Sequence, residues 1–439
     1  MDFVSTKAKP LNLVNSEKIY SKATSLIPGG TQTFSKAPAQ HVDGVSPRML
    51  QRGEGCKVWD VDGNEFIDYM MGLGPNILGY GDEEIISAAF DGAKIGVISS
   101  LAHPLESKLA EVLISKIPCA EMVRFGKNGS DVTTAAVRLA RAYTGRDKIL
   151  CCGYHGWHDW FIGSTSRNLG VPKAVQDLTI KFSYNDIDSL LNAFNEHSGE
   201  IAAVIMEPVN FIEPEEGFLE NVKSIAHENG AVLIFDEVIT GFRMAIGGAQ
   251  GYYKVTPDLA CFGKAMANGY PISALVGSTS IMSVFEEVFF SGTFSGELAS
   301  ISAALATISA LEKRGTLEHI DRMGLRLKKG YEGLVSSLDL SHVTEMIGYG
   351  WWPEYVFYDE HGKVSLEIQS LFQQEIVRRG VLSRAGMFLC GSHQKADIDK
   401  TLKIFEEALI VVGEAIKANN VLDSLDGEVL TPVIRAKQS

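Results

Sequence analysis

Apolar positions along the chain follow two different periods. Residues 105–114 and 132–143 repeat at helical spacing, and the second stretch places Val132, Ala135, Ala136, Leu139, Ala140 and Tyr143 on one face. Residues 148–153 (KILCCG), 201–208 (IAAVIMEP) and 231–238 (AVLIFDEV) are instead short, nearly continuous apolar runs. Runs that are apolar on both faces suit parallel strands covered by helices. A helical pattern near 219–229 lies between the last two runs, which predicts a strand–helix–strand unit. The runs 258–263 and 272–277 extend the same sheet, and the Ala-rich stretch 297–313 predicts a long helix. Nearer the N-terminus, apolar segments flank Asp62-Gly63-Asn64 within 56–70, a hairpin signal.

These patterns predict an α/β protein of more than one domain. Residues 76–315 form a large, mostly parallel-sheet domain, and residues 1–75 join 316–439 in a smaller α+β domain. The length, 439 residues, is too great for one minimal core and suits such a division. No internal repeat or low-complexity segment interrupts it.

Composition narrows the class of partner. Lys plus Arg is 40 against 54 Asp plus Glu, a net charge of −14. An acidic chain with no basic block is a poor ligand for nucleic acid or anionic membranes. The six cysteines form no C-x-x-C pair, and Cys151-Cys152 lie inside an apolar run, so buried thiols are expected rather than a disulfide framework. The first residues lack an apolar signal segment, and no apolar stretch reaches the roughly eighteen residues of a membrane helix. A cytoplasmic protein is expected.

Ligands of open parallel sheets sit outside the carboxyl ends of the strands. Those ends carry polar residues here. Glu207 follows IAAVIM, Asp236 and Glu237 follow AVLIF, and Lys264 follows DLACFG. Gly129-Ser130 opens the 132–143 helix, where free N–H groups and the positive helix end favour an anion. Asp236 set behind five apolar residues needs a partner, such as a protonated ring nitrogen. A desolvated lysine has a lowered pKa and is a nucleophile for carbonyl groups. Each feature alone has a plainer reading: a capping acid, a loop lysine, a well-capped helix. Tyr154-His155-Gly156-Trp157 follows the Cys151-Cys152 run and offers an aromatic ring for stacking. His155 and His158 have H-x-x-H spacing, but no further ligand cluster accompanies them, so no metal is expected.

Together these residues resemble the class III, fold-type I aminotransferases that use pyridoxal phosphate, and within them the glutamate-1-semialdehyde aminomutase branch. The resemblance runs from about residue 20 to 415. It is carried by IPGG (27–30), VWDVDGNEFIDY (58–69), ILGYG (77–81), VRLARAYTGRDKI (137–149), YHGW (154–157), EPV (207–209), DEV (236–238), FGKAMANGYP (262–271) and SGTFSGE (291–297). It implies that Lys264 bonds the cofactor and moves the proton, and that Asp236 keeps the ring nitrogen protonated. It implies that Val238 and Tyr154 sandwich the ring with His155 nearby, that Glu207 lies near the ring hydroxyl, and that the loop Asn128-Gly129-Ser130-Asp131 binds the phosphate. Thr293 would bind that phosphate from the neighbouring subunit, which makes the expected active unit a homodimer with shared sites.

Departures from the branch concern the substrate. The branch's phosphate loop reads Ser-Gly-Thr-Glu, and the present one keeps equivalent donors. Where the aminomutase has a carboxylate-binding arginine after PGG, this chain has Lys36, and Leu73 replaces a tryptophan. The stretch 381–393 lacks the expected acid and offers Arg384. Lys36 and Arg384 are thus the candidate substrate contacts. The loop KNGSD and the tail VLTPVIR (429–435) resemble aminotransferases of surface-carbohydrate pathways. The expected reaction moves an amino group from an amino-acid donor to an aldehyde or keto acceptor. Intramolecular 2,1-amino transfer is the alternative, with racemisation or epimerisation a minor one.

Overall fold

The computed structural model describes residues 7–431, and the chain divides into two units. Of the described residues, one unit holds Glu83–Leu317 with Pro75–Ile77; the other holds 7–74, Leu78–Asp82 and 318–431.

The unit containing Glu83–Leu317 is built on a seven-stranded sheet. Its order is Met122–Gly126, Ser273–Gly277, Leu259–Phe262, Val232–Asp236, Ile201–Met206, Lys148–Cys152 and Thr179–Lys181. Lys148–Cys152, Thr179–Lys181, Ile201–Met206, Val232–Asp236 and Leu259–Phe262 pair in parallel. Ser273–Gly277 runs antiparallel to both of its neighbours, so the sheet is mixed at one side only. Every residue of Ile201–Met206 and Val232–Asp236 is buried, as continuous apolar runs covered on both faces should be. Helix Gly129–Thr144 packs its apolar stripe, with Val132, Ala136, Leu139 and Ala140, into the main core beside Ile149, Ile205 and Ile234. Tyr143 departs from the expected stripe: next to the last residue of the helix, it stands 48 % exposed. The expected Ala-rich helix is Leu298–Lys313, and it crosses Glu83–Ile95 closely enough that a Cβ at Gly92 would strike the Leu298 carbonyl.

The predicted hairpin is present in the other unit as Lys57–Asp60 and Glu65–Asp68, inside the sheet Leu50–Glu54, Lys57–Asp60, Glu65–Asp68, Val381–Leu382. Val381–Leu382 joins Ile67 and Asp68 in parallel, so the two ends of the chain share a sheet. Val42, Val45, Val58, Phe66, Val377 and Leu382 form a core there. All six cysteines are free and buried.

Candidate active site

Six strands run in the same direction, and five of them, ending at Gly126, Cys152, Met206, Asp236 and Phe262, deliver the predicted residues to one edge of the sheet. Asp236 closes its strand and is 5 % exposed. Its Oδ1 accepts from the Val238 backbone N–H at 3.1 Å, and its Oδ2 lies 2.8 Å from His155 Nδ1. His155 Nε2 lies 3.1 Å from the Cys152 carbonyl, and its own carbonyl accepts from Thr133 Oγ1 at 2.9 Å. His155 is thereby set behind the carboxylate, 2 % exposed, and reaches any ligand through Asp236. This refines its expected place beside the ring.

Lys264 opens a short 3-10 turn with φ +38°, a left-handed conformation that costs a non-glycine residue free energy of order 1–3 kcal/mol. The turn follows directly on the end of the strand Leu259–Phe262. Burial lowers the amine's pKa, with the Glu207 and Asp236 charges opposing and the Arg243 charge assisting. Glu207 shows the converse: burial raises its carboxyl, and the Asp236 charge raises it further. Its Oε2 accepts from the Tyr154 N–H at 2.9 Å, while the Tyr154 ring is 52 % exposed. A desolvated amine among acids is a poised nucleophile and base.

Helix Gly129–Thr144 starts three residues before the periodic stretch 132–143, at the Gly129-Ser130 turn expected to open it. Asp131 corrects one expectation. Its Oδ2 accepts from the Lys127 and Asn128 N–H groups at 2.9 and 2.7 Å, so it shapes the loop instead of contacting an anion. Its cap uses those two amides and leaves the amides of Gly129 and Ser130 to a ligand. Ser130 Oγ accepts from the Trp157 N–H at 3.2 Å. Gly129 must be small, since a Cβ there would come to 3.1 Å from Val238. Gly156, at φ +101°, lies against Ser130, and a Cβ would overlap its hydroxyl. The loop 128–131 is therefore packed between the 153–157 segment and Val238. A nucleophilic amine, a buried carboxylate, and a glycine-flanked helix start converge on one edge, and that donor set fits pyridoxal phosphate.

Thr293 lies on an exposed loop of the same unit and lines two cavities of about 660 and about 330 Å³. Lys36 and Arg384 belong to the other unit. Lys36 is exposed. Arg384 Nη2 donates to Gln40 Oε1 at 2.9 Å, and burial lowers its pKa. Of the tail 429–435, residues 432–435 lie outside the described residues. Among the described residues no helix is long and apolar enough to cross a membrane, and no group of three or more His, Cys, Asp or Glu could hold a metal.

The sequence places Glu237 at a strand end but shows no role for it. It is fully buried, and its carboxylate accepts from Thr240 Oγ1 and from the Ala249 and Gln250 N–H groups at 2.7 and 2.9 Å. It binds the segment after Asp236 back onto helix Gly248–Tyr253. Its only sequence signal was a second acid directly after the first.

Comparison with known proteins follows this geometry. The family model for class-III aminotransferases matches residues 39–381. The chain is 36 % identical over 415 residues to 3-aminobutyryl-CoA aminotransferase of Cloacimonas acidaminovorans, covering 92 % of this chain and 99 % of that one. It is 37 % identical over 424 residues to glutamate-1-semialdehyde 2,1-aminomutase 2 of an Exiguobacterium species, covering 90 % and 96 %. Among solved structures, the FumI protein of Sphingopyxis sp. MTA144 in its PLP internal aldimine form superposes with a TM-score of 0.86 at 30 % identity, over 92 % of this chain and 98 % of that one.

Proposed function

The chain belongs to the class-III aminotransferase family, and from that premise we propose that it transfers an amino group from an amino-acid donor to a separate carbonyl acceptor at the Lys264–Asp236 site. It is a pyridoxal-phosphate enzyme with the fold-type I architecture. The observation that carries the reading is Lys264, desolvated between Glu207 and Asp236 at the carboxyl edge of the sheet.

Bound pyridoxal phosphate supplies an electron sink for the bond broken at the substrate carbon. The chain's own residues do the rest. Lys264 would hold the cofactor covalently between turnovers, and its Nζ would take the proton from one carbon and return it to another. Burial lowers its pKa, which favours the free amine that both tasks need. Asp236, fixed by His155 and the Val238 N–H, would hold a proton at the ring nitrogen. Gly129 and Ser130 would bind the phosphate, Val238 and Tyr154 would flank the ring, and Glu207 would face its hydroxyl side. Thr293 would serve the partner subunit's phosphate in a homodimer. Supporting a dimer, Phe90, Ile95, Leu101, Phe289 and Phe294 are all large apolar residues at least 60 % exposed on this unit. Six free cysteines support a reducing, cytoplasmic setting.

Intramolecular amino transfer is the second reading, because relatives of equal similarity carry the aminomutase name. The test is a panel of α- and β-amino acids labelled with ¹⁵N, each incubated with the holoenzyme and no acceptor. Transamination moves the label onto the cofactor and shifts its visible absorption. A full panel that leaves both unchanged refutes the proposal and favours the mutase. Lys36 and Arg384 remain the substrate contacts to vary once a donor is known.

A further inference from the structure

The loop that carries Thr293 is exposed but not loose. Ser291, Gly292, Thr293 and Phe294 all face solvent, and Phe289 is 80 % exposed. Charged side chains from three other places hold its two ends. Arg138 Nη1, on helix Gly129–Thr144, donates to the Phe289 carbonyl at 2.8 Å. Arg124 Nη2, on strand Met122–Gly126, donates to the next carbonyl, Phe290, at 2.8 Å. Lys127 Nζ, in the phosphate loop itself, meets Glu297 Oε2 at 3.1 Å, with the two side chains only 19 % and 13 % exposed. Glu297 in turn accepts from the Ala299 and Ser300 N–H groups at 2.7 and 3.1 Å and caps Leu298–Lys313.

Water would satisfy two exposed carbonyls equally well, and ordering an arginine costs side-chain entropy. Two guanidiniums on consecutive carbonyls therefore add little stability. What they do fix is position. We infer that Arg124, Arg138 and Lys127 are positioning residues that set Thr293 for phosphate binding. The inference rests on the reading of Thr293 given above. Lys127 has a double part: its N–H donates to Asp131 in the chain's own phosphate loop, and its ammonium anchors the loop that serves the partner's cofactor.

The test uses full-length enzyme stripped of cofactor and titrated with pyridoxal phosphate, with amide hydrogen exchange measured over 289–297. R124A/R138A and K127M should each speed exchange in that segment and weaken cofactor binding by roughly tenfold. K127R, which keeps the ion pair, should restore both. R124M/R138M removes the donors while keeping the apolar stems, and replaces the alanine pair if that pair does not fold. Unchanged exchange in the clamp variants overturns the inference, as does faster exchange with unchanged affinity. T293V is the separate arm. Unchanged affinity in T293V overturns the reading of Thr293 and the inference with it. Weakened affinity in T293V beside unaffected clamp variants overturns the clamp alone.

Discussion

His155 Nδ1 stands 2.8 Å from Asp236 Oδ2 while His155 Nε2 stands 3.1 Å from the Cys152 carbonyl. A carbonyl can only accept, so Nε2 carries a hydrogen and donates it, and the Nδ1–Oδ2 contact ties the ring to the carboxylate. The imidazole thus orients the carboxylate. D236N should lower kcat by about 10²–10³-fold. H155A should cost less, roughly 10–100-fold, because the carboxylate remains but loses its guide. Steady-state rates of the two variants check the order; an H155A effect as large as that of D236N would contradict an orienting role.

Lys264 is the amine proposed to bond the cofactor. Borohydride reduction of the wild type should add the cofactor's mass to the peptide containing Lys264. K264A should show no such adduct there and no measurable turnover with any donor. Full turnover in K264A would remove this lysine from the site.

Gly156 couples the YHGW segment to the phosphate loop. At φ +101°, with Ser130 inside contact distance of a Cβ, G156A should strain the backbone and displace Ser130. The expected outcome is cofactor affinity weakened more than about tenfold and stability lowered by roughly 2 kcal/mol. G129A should be milder, since only the Val238 methyls must yield. Cofactor titration and urea unfolding of both variants separate the two.

Glu237 is a buried acid with no open face. Burial raises its carboxyl, and hydrogen bonds from Thr240, Gln250 and Ala249 oppose that rise. E237A would leave those N–H donors unpaired in the core, at a cost of about 2–4 kcal/mol. Denaturant midpoints measure it. A loss under 1 kcal/mol would mean the segment after Asp236 is held by other contacts.

His393 gives the folded state a defined pH response. Burial lowers its pKa from 6.5 to about 4, and the ring stacks on Tyr69 at 4.6 Å. Between those values the unfolded chain binds the proton and the folded chain does not. Stability therefore falls as pH drops from 6.5 towards 4, by up to about 3 kcal/mol from this ring. Burial acts oppositely on Asp68 and Glu354, raised to about 6 and about 7, whose contribution is present at low pH and lost as pH rises through those values. Comparing H393N with wild type isolates the imidazole: the variant should lack that part of the slope between pH 4 and 6.5.

The sequence alone determined the parts whose signal is local. Fully apolar runs at 201–206 and 232–235 are strands because only burial on both faces suits them, and the residue after each run must then lie at the sheet's edge. The positions of Lys264, Asp236 and Glu207 were legible for that reason, and the Gly129-Ser130 turn from the helical repeat that it opens. Other features exist only in three dimensions. The strand Met122–Gly126 has alternating, half-exposed residues, and its place is set by pairing with Ser273–Gly277, some 150 residues away in sequence. Whether His155 meets a ring or a carboxylate depends on where the chain after Cys152 turns, and Gly153 and Gly156, both at positive φ, decide that turn. Asp131 reads as a ligand because it sits in the right motif; the fold commits its oxygen to two backbone amides first. The clamps from Arg124 and Arg138 onto Phe290 and Phe289 join residues more than a hundred apart to main-chain oxygens, which have no residue signature at all. Side-chain periodicity encodes which faces are buried, but partner choice between polar atoms is settled by distance, and distance is a property of the folded chain.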